Sequence, residues 1–199
     1  MNVVLRCVSV RVRYRTHLGY QEPTYYFSNN ALMYYAIAKT IEGVISTNRV
    51  TANELATGIR QAGEGMLLES IVYAHVFLSA GEHEAVFKYS DLDLREIDVV
   101  AIDRVAKTLR LVEVKCKSRI SPVHVFHEEA GKLYDEEILK NIGVDDTYDI
   151  ARVLVYQGGN AVLRNSKGDL LLANIADFLL FQSDIPGFTE KVRQGEGLS

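Results

Sequence analysis

Residues 95–117 read REIDVVAIDRVAKTLRLVEVKCK and contain two apolar runs separated by a short connecting segment. The runs, 95–103 and 108–117, are rich in Val, Ile and Leu, which predicts two β-strands. Residues 104–107 between them are few enough to form a hairpin loop. Charged residues stand inside both runs, where a buried strand normally carries apolar ones. This hairpin therefore decides the predicted fold and also holds the candidate chemistry.

The two-residue period of a strand places Glu113 and Lys115 on the same face of the second run. If Asp103 pairs with Thr108 across the loop, the same register places Asp98 opposite Glu113. Residues opposed in this way have Cβ atoms about 4.5–5.5 Å apart. A slip of one residue would separate the two carboxylates, so the register is itself a prediction.

Two carboxylates side by side in an apolar sheet repel each other and lose hydration. One of them then stays protonated, or a divalent cation lies between them, and oxygen ligands favour Mg²⁺ or Mn²⁺. Lys115 can assist an attacking water or stabilise charge on a phosphate. Glu69, on an apolar helix predicted over 66–81, can supply another oxygen through water. This equipment is typical of phosphodiester hydrolysis, although a Glu-x-Lys pattern on an exposed strand is also common by chance.

The remaining chain alternates further strands and helices around this hairpin. The expected strands are 3–15, 25–27, 85–90, 151–156 and a short strand or hairpin within 161–173. The expected helices are 31–41, 66–81, an acidic helix over 124–141, and 175–181. We expect a single domain over 1–185, with an N-terminal extension over 1–60, a core over 61–185 and a flexible tail over 186–199.

Composition excludes several classes of protein. The chain has 199 residues, of which 48% are apolar and 24% charged, so it is neither disordered nor a disulfide-stapled miniprotein. No apolar run reaches the roughly 18 residues of a membrane span, and arginines interrupt the apolar N-terminus, which argues against a signal peptide. We therefore expect a cytoplasmic protein that does not enter a membrane. Residues 1–60 carry a net charge of +4 and the rest −8, which excludes a chain that wraps nucleic acid over its whole surface.

The order Glu69, Asp98, Glu113-Val114-Lys115 on helix, strand, turn and strand resembles the PD-(D/E)XK nuclease superfamily. The resemblance implies an α/β (α+β) fold with a restriction-endonuclease-like core, a mixed β-sheet flanked by helices. It implies that Asp98, Glu113 and the backbone carbonyl of Val114 bind the metal. It further implies that Lys115 acts on the nucleophilic water and that Glu69 reaches the metal through water. Ile97 stands where the superfamily has its name-giving proline, a position that varies widely.

A narrower resemblance covers most of the chain. The segments 24–27 with 30–32, 65–69 with 72–73, 96–98 with 112–115, and 178–180 are similar to a C-terminal domain of unknown function in prokaryotic AAA-type ATPases. The resemblance implies an AAA-type ATPase module as a partner, and this chain would be a fragment or a split-gene product. No G-x-x-x-x-G-K-[ST] motif occurs in it, so ATP hydrolysis is not expected of it.

The preferred function is Mg²⁺-dependent cleavage of DNA phosphodiesters. The backbone of DNA would be held by a set of basic residues on two strands and the segment beyond them: Arg11, Arg13, Arg15, Lys117 and Arg119. The alternative is a catalytically silent docking or regulatory module of the ATPase that binds protein or DNA. Assembly into a homo-oligomer stays open at this point.

Overall fold

The computed structural model describes residues 4–13, 17–27, 52–91 and 95–195, with side chains described from residue 63 onward. Eight strands lie in these ranges: β1 (Val4–Arg13), β2 (His17–Phe27), β3 (Glu84–Asp91), β4 (Glu96–Asp103), β5 (Thr108–Val114), β6 (Asp149–Tyr156), β7 (Ala161–Leu163) and β8 (Leu170–Asn174). They form one mixed sheet in the order β2-β1-β3-β4-β5-β6-β8-β7. The predicted hairpin, β4 and β5, therefore lies at the centre of the sheet.

Helices cover both faces of this sheet. They are α1 (Ala52–Leu78), a π-helical turn (Val125–Glu129), a 3₁₀ turn (Gly131–Tyr134), α2 (Glu136–Ile142), α3 (Ile175–Phe181) and α4 (Ile185–Gln194). The predicted α/β class, a mixed sheet flanked by helices, is confirmed. No helix in the described part of the chain combines the length and the hydropathy of a membrane span.

Two apolar cores lie on opposite faces of the sheet. On one face, α1 packs Val72 and Tyr73 against the strands beside Phe178 of α3. On the other face, Leu133 and Ile138 pack against the sheet from the segment 125–142. Because β4 and β5 are covered on both faces, the charged residues within them are removed from water, which gives those charges large electrostatic effects.

The first helix is longer than the apolar helix predicted over 66–81. The residues Thr51-Ala-Asn-Glu54 fit a helix-start capping box. In the structure α1 begins there, at Ala52, and continues through Gly63 and Gly65 to Leu78. β2 begins at His17, eight residues before the strand predicted over 25–27, because it pairs along β1 from Arg13 back to Val4. The predicted helix over 31–41 lies outside the described residues.

The prediction of one continuous helix over 124–141 was wrong. The chain forms a π-helical turn, a 3₁₀ turn and α2 in succession. A Cβ atom at Gly131 would lie 2.5 Å from the carbonyl oxygen of Phe126, so the chain passes itself more closely there than a regular helix with side chains allows. Asp135 then begins α2 by accepting hydrogen bonds from the backbone N–H groups of Glu137 and Ile138.

The predicted flexible tail also needs correction, because residues 186–194 belong to α4. Asp184 caps this helix, and its Phe188 is only 1% exposed. The ring of Phe188 stacks on Phe181 with centroids 5.2 Å apart. The polar composition that predicted a tail belongs to the outer side of an amphipathic helix.

Candidate active site

The register of the central hairpin is the one the sequence predicted. β4 and β5 pair antiparallel from Asp103↔Thr108 to Val99↔Val112. Continuing this register by one residue places Asp98 opposite Glu113. Glu113 and Lys115 share a face, and the Nζ atom of Lys115 lies 2.6 Å from Oε1 of Glu113.

A β-bulge in β4 sets the direction of Asp98. Phe87 of β3 pairs with Val100 and Tyr89 pairs with Ile97, so the single residue between them faces both Asp98 and Val99. As a result, Ile97 packs in the same core as Val100, while Val99 packs in the core on the other face. The extra residue opens the sheet at this point, as bulges beside active sites commonly do.

The Asp98 carboxylate accepts a hydrogen bond that a backbone carbonyl would accept in a regular ladder between β4 and β5. Its Oδ2 atom accepts a hydrogen bond of 2.8 Å from the backbone N–H of Val114, just beyond the last paired residues of β4 and β5. In an extended strand, the N–H and C=O of one residue point to the same side. The Val114 carbonyl, predicted as a metal ligand, therefore lies on the side of the strand that faces Asp98.

Glu113 is the most buried charged group of the site, with 1% of its side chain exposed. Its Oε1 atom lies 2.6 Å from Lys115 Nζ and 2.8 Å from Lys132 Nζ. Its Oε2 atom is buried and has no hydrogen-bond partner among the described residues. Burial, and then repulsion from Asp98, raises the pKa of Glu113 to about 7.

Glu69 reaches the same cluster from α1. The Nζ atom of Lys88 lies 3.7 Å from Glu69, 3.9 Å from Asp98 and 3.2 Å from Glu96. Burial and the nearby Asp98 raise the pKa of Glu69 above its usual range. The structure thus brings all four sequence-predicted site residues, Glu69, Asp98, Glu113 and Lys115, into one charged cluster.

Lys115 is a cation rather than a base at neutral pH. Burial lowers its pKa, but the neighbouring Glu113 and Asp98 carboxylates raise it by more, so that the net pKa is above the usual value. A protonated Lys115 can donate hydrogen bonds to a phosphate oxygen or to an attacking water, and it cannot remove a proton from either.

Two lysines of this cluster, Lys88 and Lys132, are absent from the sequence-based prediction. Lys88 interrupts the apolar strand β3, which is the same signal that identified Asp98 and Glu113. Lys132 lies in the 3₁₀ turn, and no spacing in the sequence connects it with Glu113. Lys132 reaches Glu113 because the chain forms a 3₁₀ turn here in place of the predicted continuous helix.

The donor atoms at this site match a hard divalent cation in type. Asp98 and Glu113 offer carboxylate oxygens, and the buried Oε2 of Glu113 has no hydrogen-bond partner among the described residues. No group of three or more His, Cys, Asp or Glu side chains converges as a metal site within the described residues. A cation here would accordingly take two carboxylates and the carbonyl of Val114, with water in its remaining positions.

The residues predicted to hold the phosphate backbone belong to β1, to the segment that follows it and to the segment beyond β5. Arg11 and Arg13 lie in β1, where Arg11 pairs with Ser90 of β3, and Arg15 lies outside the described residues. Lys117 forms an ion pair with Glu129, so its charge is already engaged. Arg119 is exposed beyond the end of β5.

Comparison with models of known protein families gave no match, and neither did comparison with curated proteins. The cluster combines adjacent buried carboxylates, one of them with an unpartnered oxygen, and three lysines that reach them from separate segments of the chain.

Proposed function

We propose that this protein is a metal-dependent nuclease that hydrolyses the phosphodiester bonds of DNA, with a PD-(D/E)XK-like site. The observation that carries the proposal is the unpartnered, buried Oε2 atom of Glu113 beside Asp98. A buried carboxylate oxygen without a partner is costly unless a cation or a proton joins it, and the two lysines beside Glu113 pair only with Oε1. Asp98, Glu113 and the Val114 carbonyl would hold Mg²⁺ or Mn²⁺.

When bound, the metal would polarise the scissile phosphate and lower the pKa of a water molecule. The other tasks fall to the side chains of this chain. Lys115 and Lys132 would donate hydrogen bonds to the phosphate oxygens and stabilise the additional negative charge of the transition state. Glu69 and Lys88 would fix the direction of Asp98, since Lys88 lies within ion-pair distance of both carboxylates.

The proposal includes the expected surroundings of the enzyme. An AAA-type ATPase module would be its partner, as the sequence resemblance implies, and the cytoplasm would be its location, as the composition of the sequence predicts. DNA would approach from the side of the sheet where β5 ends, because Lys115 and the exposed Arg119 lie there. A basic residue at this edge attracts the phosphate backbone without reading its sequence.

A second candidate function is supported by the ion pairs themselves. Lys88, Lys115 and Lys132 already neutralise much of the charge on Asp98 and Glu113. A network balanced in this way needs no metal to be stable. A catalytically silent docking module of an ATPase would retain such a network for its structural role alone. The two candidates differ in whether the cluster gains catalytic activity when a divalent cation is supplied.

Plasmid cleavage distinguishes these candidates. We expect the purified chain to nick or linearise plasmid DNA in Mg²⁺ or Mn²⁺ and to be inactive in EDTA. Lys115→Ala and Glu113→Gln should each reduce the rate by about 100-fold or more, because each removes a charge that acts in the transition state. Lys191→Ala, which alters an exposed lysine on α4, is the matched control and should cleave at the rate of the unaltered protein.

Two outcomes of this assay would count against the enzymatic proposal. Cleavage that persists unchanged in Lys115→Ala belongs to a contaminating nuclease. A chain that binds Mn²⁺ yet cleaves no DNA would overturn the enzymatic proposal and favour the docking module.

A further inference from the structure

Arg152 of β6 is a buried arginine without a carboxylate partner. Its residue surface is 8% exposed, and it lies on the face of the sheet that the segment 125–142 covers. Its Nε atom donates a 2.9 Å hydrogen bond to the carbonyl of Leu133, and its guanidinium carbon lies 4.7 Å from the ring centroid of Tyr134. Neither terminal nitrogen has a hydrogen bond or an ion pair with any described residue. Burial lowers the pKa of Arg152, yet an arginine stays charged in proteins, so the charge is uncompensated.

A cavity of about 410 Å³ opens beside this guanidinium. Its walls include Tyr134, Tyr148, Leu139 and Ile150, and Lys140 and Lys167 lie at its margin. A volume in this range is typical of sites that enclose small organic molecules. Apolar and aromatic side chains form part of the wall, and Arg152 is the only buried residue among the charged ones that line the cavity.

Acidic residues also line the cavity, but they are exposed at its margin. Glu136 forms an ion pair with Lys167. Asp145 accepts hydrogen bonds from the backbone N–H and the hydroxyl of Thr147. Asp146 and Lys140, both exposed, have no ion pair with any described residue, so among the described lining residues Arg152 is the one charge that is both buried and without an ion-pair partner.

The backbone near the cavity leaves room for the guanidinium. Gly168 has φ +115°, which side-chain-bearing residues rarely adopt, and a Cβ atom there would lie 3.0 Å from Nη1 of Arg152. Tyr134 also donates from its hydroxyl to the Gly168 carbonyl, at 3.2 Å. Glycine at this position thus lets the loop approach the charged group closely.

We propose that this cavity binds a small organic oxyanion, a phosphate or a carboxylate, through the two terminal nitrogens of Arg152. A guanidinium presents two parallel N–H groups that match two oxygens on one phosphorus or carbon atom. The apolar part of the ligand packs against Tyr134 and Tyr148, and Lys140 contributes attraction at the entrance. This binding site is separate from the carboxylate cluster and does not depend on the nuclease proposal.

Isothermal titration of the full chain tests this proposal, with phenyl phosphate, benzoate and inorganic phosphate as probes. We expect saturable binding of one molecule of phenyl phosphate or benzoate, and the tighter of the two identifies phosphate or carboxylate as the preferred group. Inorganic phosphate should bind more weakly than phenyl phosphate, because it lacks the ring that contacts the tyrosines. Arg152→Met should weaken binding by about tenfold or more, the typical effect of losing a buried charged hydrogen bond.

Two exposed lysines provide the matched comparison. Lys140→Glu should weaken binding about threefold or more, since it reverses a charge at the entrance, whereas Lys191→Glu on α4 should leave binding unchanged. If Arg152→Met fails to give the far-ultraviolet circular dichroism of the unaltered chain, the two lysine variants decide the outcome. Absence of saturation by either aromatic probe up to about 10 mM, or equal affinity in Lys140→Glu and Lys191→Glu, would overturn the proposal.

Discussion

Glu113 is the residue on which the chemistry of the site depends. It lies in the centre of a sheet, is 1% exposed, and meets a second carboxylate from the neighbouring strand. Two lysines approach only one of its oxygens. The lysines therefore offset only part of the free-energy cost of burying this carboxylate. A proton or a divalent cation bound at the other oxygen can offset the rest.

The raised pKa of Glu113 predicts how stability changes with pH. Because the folded-state pKa is about 7 and the ordinary value is 4.5, the folded protein binds a proton that the unfolded chain releases between these values. Stability from this group is greatest below pH 4.5 and is lost as the pH rises through 7. In buffer containing EDTA, the free energy of unfolding should fall between these limits by about 3 kcal/mol more in the unaltered protein than in Glu113→Gln.

Urea denaturation at several pH values measures this difference. Glu82→Gln, at an exposed glutamate, is the control and should follow the pH dependence of the unaltered protein. A constant gap in stability between the unaltered chain and Glu113→Gln at all pH values would contradict the raised pKa.

Much of the charged cluster was predictable at the residue scale. Charges that interrupt apolar strands identified Asp98 and Glu113, and the two-residue period placed Lys115 beside Glu113. The bulge that directs Asp98 was not predictable, because it arises from the pairing of β3 with β4 rather than from either strand alone. Lys132 was not predictable either, because its position depends on how a helix breaks more than ten residues beyond β5.

At the scale of elements, the turns over 125–134 connect the helical layer with the cluster. They place Lys132 at 2.8 Å from Glu113 and bring the Leu133 carbonyl to Arg152. Their shape depends on a close approach between Gly131 and the carbonyl of Phe126. A side chain at residue 131 should therefore move the segment that carries Lys132.

Gly131→Ala should destabilise the protein by about 1–3 kcal/mol, the usual cost of forcing an extra carbon into a packed position. Gly159→Ala is the matched control, because a Cβ atom there would meet no atom within 4 Å. The midpoint of urea denaturation measures both effects. Equal midpoints for the two variants would contradict the account of why the predicted acidic helix breaks.

Strands were easier to predict than helices in this chain for a physical reason. The pairing of β4 with β5 follows from a short loop and from apolar alternation, both of which are local. The length of α1 and the break at Gly131 depend on what each helix packs against. A helix that packs on a sheet can continue through glycines such as Gly63 and Gly65, even though glycine has a low intrinsic propensity for helix.

At the scale of the whole molecule, the last helix closes the core that covers one face of the sheet. Phe188 and Ile185 of α4 are buried with Phe178 of α3. Ending the chain after Asp184 should therefore destabilise it by about 3–5 kcal/mol, comparable with the loss of one buried aromatic side chain. Ending it after Gly195 should change the free energy of unfolding little, since α4 is then kept whole. Equal stability of the two shortened chains would contradict the packing role of α4 and would support the flexible tail predicted from the sequence.

The most direct test of the proposed metal site is anomalous diffraction from crystals soaked in Mn²⁺. We expect one strong peak within ligand distance of the Asp98 and Glu113 carboxylates, and no such peak in crystals of Glu113→Gln. Manganese that binds elsewhere, or an Asp98–Glu113 pair that stays without manganese at saturating concentration, would contradict the proposed metal site.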